Sequence, residues 1–377
     1  MADSPYPELK KSHVPERMGR PWTDHKPPPS APVWAVISGF GSFHVLVAAL
    51  ELGVFDTLAD RGADPGGPPE VAAPELAREL RVSALHLEAL LDSLAVLGLL
   101  ERAGGRYGLN DAAARYLTRD GAASMASLVP VAPGPLENWS GLADTIRAGR
   151  PAEPIDDDPA GFYRPLVEGT FATMLRAATR ADLQVRYSAM AAPRVLDLGA
   201  GGAPWAIAVL KACPEATAVI NDLDGVVEVA RRTTAEHGVA DRCEFRPGDF
   251  HTVEIEPGGY DITVLGHVCR TEGPDGARHL IARAWEALRP EGRLVLADYF
   301  VAPEPQWSPH CVHMGMAMMA STIHGFPIAA AQVVDWLRDA GFEFLRLLEP
   351  IGHQYAYVAC KPPRSSRGAP WQNISTR

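Results

Sequence analysis

From Arg194 onward, short apolar runs alternate with helix-patterned segments, and this alternation constrains the fold of the chain more than any other feature. The runs are Val195-Leu196, Ala218 to Ile220, Cys243 to Phe245, Asp261 to Leu265 and Leu294 to Ala297. Between them lie amphipathic helices. One opens at Pro204, one runs from Gly225 to His237 before Gly238, and one carries Ala277, Leu280, Ile281, Ala284 and Leu288 on a single face. Runs too short for helices, each followed by an amphipathic helix, predict buried parallel strands joined by right-handed crossovers. The fold class expected is therefore α/β, a Rossmann-like sheet. Phe342 to Leu348 and Gln354 to Cys360, joined through Pro350 and Gly352, predict a closing antiparallel pair.

The front of the chain follows another plan, as expected of 377 residues, a length that favours two cores over one. Val36, Phe40, Phe43, Val47 and Leu50 predict a broad apolar helix that ends at Leu52-Gly53 and needs a partner surface. Pro74 opens a short helix, and Ser83 caps a longer one through Leu87, Leu90, Leu91, Leu94 and Leu97. Leu99 to Arg102 and Arg106 to Leu109 predict a hairpin across Gly104-Gly105. Helices followed by a hairpin make a mainly α-helical, winged-helix domain. A further helix is expected from about Pro165 to Tyr187. The expected domains are an extended arm over 1–31, a winged-helix domain over 32–125, and a linker with a helix contributing to a substrate pocket over 126–187. A catalytic domain over 188–362 and a flexible tail over 363–377 complete the chain.

Composition removes several classes of function. A formal charge of -11 gives no basic footprint for nucleic acid or for an anionic membrane surface. The longer front helix also presents Glu88 and Asp92 where a reader of the major groove presents Arg, Lys, Asn or Gln. Five cysteines without a CxxC pair indicate neither a disulfide framework nor a zinc ribbon, and fit a reducing cytoplasm. The first residues do not form a signal peptide, and no later uninterrupted apolar run approaches about 18 residues. The acidic run Asp156-Asp157-Asp158 reads as a solvated loop in preference to a metal site.

The first strand of the alternating region ends in Asp197-Leu198-Gly199-Ala200-Gly201-Gly202-Ala203-Pro204. Glycines there permit a tight turn and close approach to a ligand. The second strand ends in Asn221-Asp222-Leu223, where an acid accepts from both ribose hydroxyls, and the third in Gly248-Asp249-Phe250, where a carboxylate and a ring suit adenine. Three strand ends thus converge on one nucleoside. A dinucleotide fingerprint needs glycine where Pro204 stands, with amide donors for a pyrophosphate; proline removes a donor, which favours a phosphate-free ligand, S-adenosylmethionine (SAM), over NAD.

At these residues the chain resembles the class I SAM-dependent methyltransferases. From about Val33 it looks like the small-molecule O-methyltransferases related to acetylserotonin and plant phenol methyltransferases. The segment Val195 to Gly201 matches their first motif, Asp222-Leu223 the ribose acid, Asp249-Phe250 the adenine site, and Leu288 to Leu294 the turn into the fifth strand. The resemblance implies SAM as cofactor, held by Asp197, Gly199, Gly201, Asp222, Leu223, Asp249, Phe250 and His267. It also implies a homodimer through a winged-helix-like front domain, without nucleic acid or membrane.

One departure bears on the chemistry. Phenol methyltransferases of this kind carry a catalytic histidine after the fourth strand, and here Arg270 takes its place within His267-Val268-Cys269-Arg270-Thr271-Glu272. Arginine stays protonated and cannot be a base, but it holds an anion and favours an enolate, carboxylate or acidic phenolate. His267 is the alternative base; a packing role or a backbone contact to the cofactor accounts for it equally. After the fifth strand, His310-Cys311-Val312-His313-Met314 falls where the family builds its acceptor pocket, so His313 and Met314 are expected to face substrate. With His267 and Cys269, the histidines of that segment also raise a soft metal site, which the spacing supports poorly, and no metal is expected.

The function expected is methyl transfer from SAM to a small aromatic or enolic metabolite of specialised metabolism. Oxygen is the commonest target in the family, and carbon is favoured by the missing histidine. A SAM-binding enzyme of the same fold with a non-methylating reaction, and a winged-helix DNA-binding regulator, are the alternatives.

Overall fold

The computed structural model describes residues 30–61, 71–131, 134, 136–302, 308–348 and 354–363. The expected arm and tail fall almost wholly outside them, as does the connection through Pro350 and Gly352. Two compact units form: of the described residues, 30–54 and 71–108 make the first, and 55–61 with those from Leu109 onward make the second.

The first unit holds α1 (Ala31–Glu51) and, past α2 (Val54–Asp60), which but for Val54 belongs to the second, β1 (Val71–Ala72), α3 (Ala73–Leu80) and α4 (Ala84–Val96). A hairpin of β2 (Glu101–Ala103) and β3 (Arg106–Gly108) follows, its turn made by Gly104 and Gly105 at φ 56° and 73°. That turn needs two left-handed residues, which glycine supplies without a Cβ clash. β3 also pairs with β1, so the sheet order is β1-β3-β2. Leu87, Leu91 and Leu94 of α4 fill the core with Leu76 and Tyr107.

α1 corrects one sequence reading. Among the described residues, one helical segment, Pro32–Glu51, is long and apolar enough to cross a membrane, with a mean hydropathy of 1.9. Gly39, Gly41 and Ser42 break its apolar run without making the segment polar. Its side chains Trp34, Val36, Ile37 and Phe40 are exposed.

Besides α2, the second unit holds α5 (Asp111–Tyr116), α6 (Leu136–Ser140) and α7 (Leu142–Ala148), then the long α8 (Pro159–Val185). α8 starts well before Pro165. Asp158 caps it by accepting from the Gly161 amide at 3.1 Å, and Pro159 takes the first turn, where its missing N–H costs nothing. The acidic run thus supplies a helix cap, while Asp156 accepts from the Ile323 amide at 3.0 Å.

The sheet is built from β4 (Arg194–Leu198), β5 (Thr217–Asp222), β6 (Cys243–Pro247), β7 (Tyr260–Gly266), β8 (Leu288–Asp298), β9 (Glu343–Leu347) and β10 (Tyr355–Cys360). Their order is β6-β5-β4-β7-β8-β10-β9, parallel through β8 and closed by the antiparallel β10 and β9. α9 (Pro204–Ala212) and α10 (Asp224–Glu236) pack with α8 into one apolar core. α11 (Cys269–Ala287) and α13 (Ala330–Asp339) pack into another, and α12 (Pro309–Ser321) lies between them in sequence. Burial on both faces explains the apolar runs Val195-Leu196 and Leu294 to Ala297, whereas β6, expected to be buried, lies at the sheet edge with half-buried and exposed residues. α11 is broken at Gly273, whose φ of 65° a side chain resists, so Cys269 to Glu272 form a separate first turn before Pro274 restarts the helix.

Candidate active site

Parallel topology places every β-to-α turn at one edge, and the strand order reverses on either side of β4, the point where such sheets bind ligands. A cavity of about 380 Å³ opens there. Its wall takes Asp197, Gly199 and Gly201 from the end of β4, Asp222 and Leu223 from β5, Asp249 and Phe250 beyond β6, His267 and Arg270 beyond β7, and Met314 from α12. These sequence-predicted residues are thereby brought together.

The glycines are a steric requirement. A Cβ on Gly199 would stand 2.6 Å from Val268 Cγ1 and 3.1 Å from the Phe250 ring, and one on Gly201 would stand 3.1 Å from Val167 Cγ2. Both residues also hold positive φ, 64° and 58°. Asp222 is buried; its Oδ2 accepts from the Gly201 amide at 2.6 Å and its Oδ1 from Leu223 at 2.8 Å. Burial raises its pKa to about 6, against the pull of those two amides. Each oxygen keeps a lone pair for a ribose hydroxyl. Asn221 fastens the neighbouring strand end by donating Nδ2 to the carbonyls of Arg246 and Gly248, both at 2.8 Å. Asp249 Oδ1 accepts from the His251 amide at 2.7 Å, which fixes the turn carrying Phe250.

Asp197 is buried as well, with Oδ2 on the Ala206 amide at 3.2 Å and Oδ1 without a protein partner. Burial pushes its pKa up to about 8, the Ala206 bond lowers it and Asp222 adds to the rise. A buried carboxylate oxygen left open beside a glycine cradle fits a ligand that carries a cation, as SAM does in its sulfonium and ammonium groups.

His267 sits at φ 66°, its amide bonded to the Ala297 carbonyl at 2.7 Å and its ring edge-on to Tyr299 with centroids 5.2 Å apart. Burial lowers its pKa to about 4; Asp298 opposes that shift and Arg270 adds to it. At neutral pH it is an uncharged imidazole with a weak hold on any proton it accepts. Arg270 is buried and ion-paired through Nη1 with Oδ1 of the fully buried Asp298, which also accepts from the Arg270 amide through Oδ2 at 3.2 Å. The guanidinium stacks 5.0 Å from the Tyr299 ring centroid, and its Nε has no protein partner.

His313 does not join this constellation. It is exposed and absent from the cavity wall, where His310 stands instead. The helix explains the correction: His310, Met314 and Met318 recur every fourth residue and share one face of α12, which turns His313 away. Among the described residues, no three His, Cys, Asp or Glu side chains are grouped to hold a metal. Sequence reasoning missed Asp298, Tyr299 and a pair formed by His251 Nε2 and Glu272 Oε2 at 2.8 Å on the cavity wall. Asp298 alone carried a signal, as an acid ending an apolar strand.

Comparison with known proteins agrees with this geometry. The O-methyltransferase domain matches residues 173–343, and the O-methyltransferase dimerisation domain matches residues 34–119. A 3-hydroxy-5-methyl-1-naphthoate 3-O-methyltransferase of Streptomyces sahachiroi is 28% identical over 320 residues, covering 82% of this chain and 88% of that protein. An L-tyrosine C(3)-methyltransferase of Streptomyces lavendulae is 25% identical over 274 residues, covering 69% and 72%. The fold matches the crystal structure of human N-acetylserotonin methyltransferase in complex with SAM at a TM-score of 0.71 and 23% identity, over 90% of this chain and 99% of that one. The chain belongs to the O-methyltransferase family that carries an N-terminal dimerisation domain, and it is a SAM-dependent methyltransferase. Neither the non-methylating alternative nor the DNA-binding one finds support among these relatives.

Proposed function

We propose that this methyltransferase acts on a small aromatic acceptor whose hydroxyl is acidic or enolic, and that it does so without a protein base at the family's usual position. The observation that carries this reading is Arg270, buried against Asp298 with its Nε still unpartnered beside the cavity. Bound SAM supplies an electrophilic methyl group on a sulfonium. The chain supplies position and charge. Asp298 fixes the guanidinium plane, and the open Nε–H donates to the acceptor oxygen, favouring its anion without taking a proton. His267, held neutral, packs against Tyr299 as a wall of the acceptor site. Met314 and Met318 give that wall an adaptable apolar surface. An oxyanion so held presents either its oxygen or an adjacent electron-rich carbon, and relatives named for each outcome exist.

The test is kcat/KM against pH for a series of phenols graded in acidity. The profile should follow the hydroxyl of each acceptor, rising about tenfold per pH unit below that group's pKa. With SAM saturating at every pH, so that protonation of Asp222 does not enter, a rising limb at one fixed pH for every acceptor would identify an enzyme base and overturn this reading.

The exposed apolar face of α1 is assigned to the homodimer, and the strand–helix–helix–hairpin order of the first unit to a winged helix that pairs subunits in the cytoplasm. Nucleic acid and membrane have no part in this reading. Val36→Glu with Phe40→Glu should convert the dimer to monomer in sedimentation equilibrium, since charge buried at an apolar interface is costly; an unchanged mass would move the interface elsewhere.

A further inference from the structure

With adenine at Asp249 and Phe250 and ribose at Asp222, as proposed, the order of the sheet gives the direction in which SAM would lie. The adenine residues Asp249 and Phe250 follow β6, and the ribose acid Asp222 ends β5, its neighbour. A nucleoside with its base at β6 and its ribose at β5 extends its 5′ substituent over β4 and β7. In SAM that substituent is an amino acid, so the site beyond β4 must meet one ammonium and one carboxylate. An acceptor is already there in the open Oδ1 of Asp197.

The donor is visible one residue from the other oxygen of that carboxylate. Trp205, next to the Ala206 whose amide binds Asp197, is 4% exposed and lines the cavity. Its indole lies over the end of β7: a Cβ on Gly266 would stand 2.9 Å from Trp205 Cδ1 and 3.0 Å from Nε1. Only glycine at 266 lets the ring lie so close. Yet the buried Nε1–H has no hydrogen-bond partner in the protein. An indole nitrogen only donates, so nothing but an acceptor can satisfy it, and leaving it unmet is costly. We propose that the Trp205 indole N–H receives the carboxylate of the SAM amino acid moiety, opposite the ammonium held by Asp197. The assignment rests on SAM occupying this cavity, and a ligand series separates the two claims.

The experiment is calorimetric titration of the wild type and Trp205→Phe with S-adenosylhomocysteine, its decarboxylated analogue and 5′-methylthioadenosine, which lacks the whole amino acid. Phenylalanine keeps an aromatic ring and deletes the N–H. The variant should bind S-adenosylhomocysteine about tenfold or more weakly, as for a hydrogen bond to a charged group, and bind the other two ligands within about twofold of wild type. Equal weakening of all three, or of none, would reduce Trp205 to a packing residue and overturn the proposal. A second measurement needs no variant. Of the eight tryptophan indole N–H resonances, one should move downfield with S-adenosylhomocysteine and stay in place with methylthioadenosine; its failure to move would also count against the carboxylate contact. If methylthioadenosine itself did not bind the wild type, the nucleoside site would be the claim that fails, and the proposal with it.

Discussion

Arg270→Met should unfold at markedly lower denaturant than the wild type, because it strands the carboxylate of Asp298 in a fully buried position. Breaking a buried ion pair by removing one partner costs about 3–5 kcal/mol. The double variant Arg270→Met/Asp298→Asn removes the stranded charge and should recover most of that loss while leaving turnover about 10²–10³-fold down, the typical cost of deleting a donor to a developing oxyanion. Arg270→Lys keeps the charge but not the planar fork; it should lose at least about tenfold in turnover with a smaller change in stability. Denaturant midpoints and steady-state rates on one acceptor check the series. Full activity in the double variant would remove Arg270 from the acceptor site and leave the pair a packing device.

The second large effect is expected at Asp222. Asp222→Ala deletes both proposed ribose contacts and orphans the Gly201 and Leu223 amides that now donate to it at 2.6 and 2.8 Å. Hydrogen bonds to a charged group are worth about 1.5–3 kcal/mol, so SAM affinity should fall well over tenfold. The pH dependence has a definite sign. Burial holds the folded pKa at about 6, above the ordinary carboxylate range, so the proton is lost only as pH rises through about 6. Ribose hydroxyls need the ionised form as acceptor, and SAM affinity should therefore drop as pH falls below about 6. Asp222→Asn should abolish that step and leave only the separate rise toward about 8 expected of Asp197, the acid proposed for the ammonium. Titration calorimetry from pH 5 to 8 shows it; a pH-independent affinity in the wild type would place the ribose elsewhere.

Much of the catalytic unit was legible because its signals are local. Runs such as Val195-Leu196 and Leu294 to Ala297 are apolar on both faces, and a strand buried on both faces leaves that mark in one short stretch. Asp197 one residue before the end of β4, Asp222 closing β5 and Asp249 two residues past β6 are readable because each sits at or near a strand end, so strand order alone carries them to one edge. The failures are of other kinds. At α8 two prolines each suit a first turn, and only the Asp158 cap decides for Pro159. At α12 a pair of histidines three apart gives no phase until the helix is docked, so His313 was expected where His310 stands. The tie from Arg270 to Asp298 spans 28 residues and two strand ends, beyond any spacing rule. An unmet N–H such as that of Trp205 is a property of packing and leaves no trace in sequence. α1 is legible as a broad apolar helix, but counting uninterrupted apolar residues hides that its mean hydropathy reaches 1.9.

The central expectation for this enzyme is methyl transfer to an acidic aromatic hydroxyl or the carbon beside it. The measurement is incubation of the purified protein with methyl-labelled SAM and a panel of hydroxynaphthoates, other acidic phenols and non-acidic phenols, with products resolved by mass spectrometry. Label should pass to the acidic phenols, on oxygen or on the adjoining ring carbon, and pass poorly to the non-acidic ones at neutral pH. Label on the non-acidic phenols at equal rates, or on no acceptor while SAM binding is intact, would contradict it.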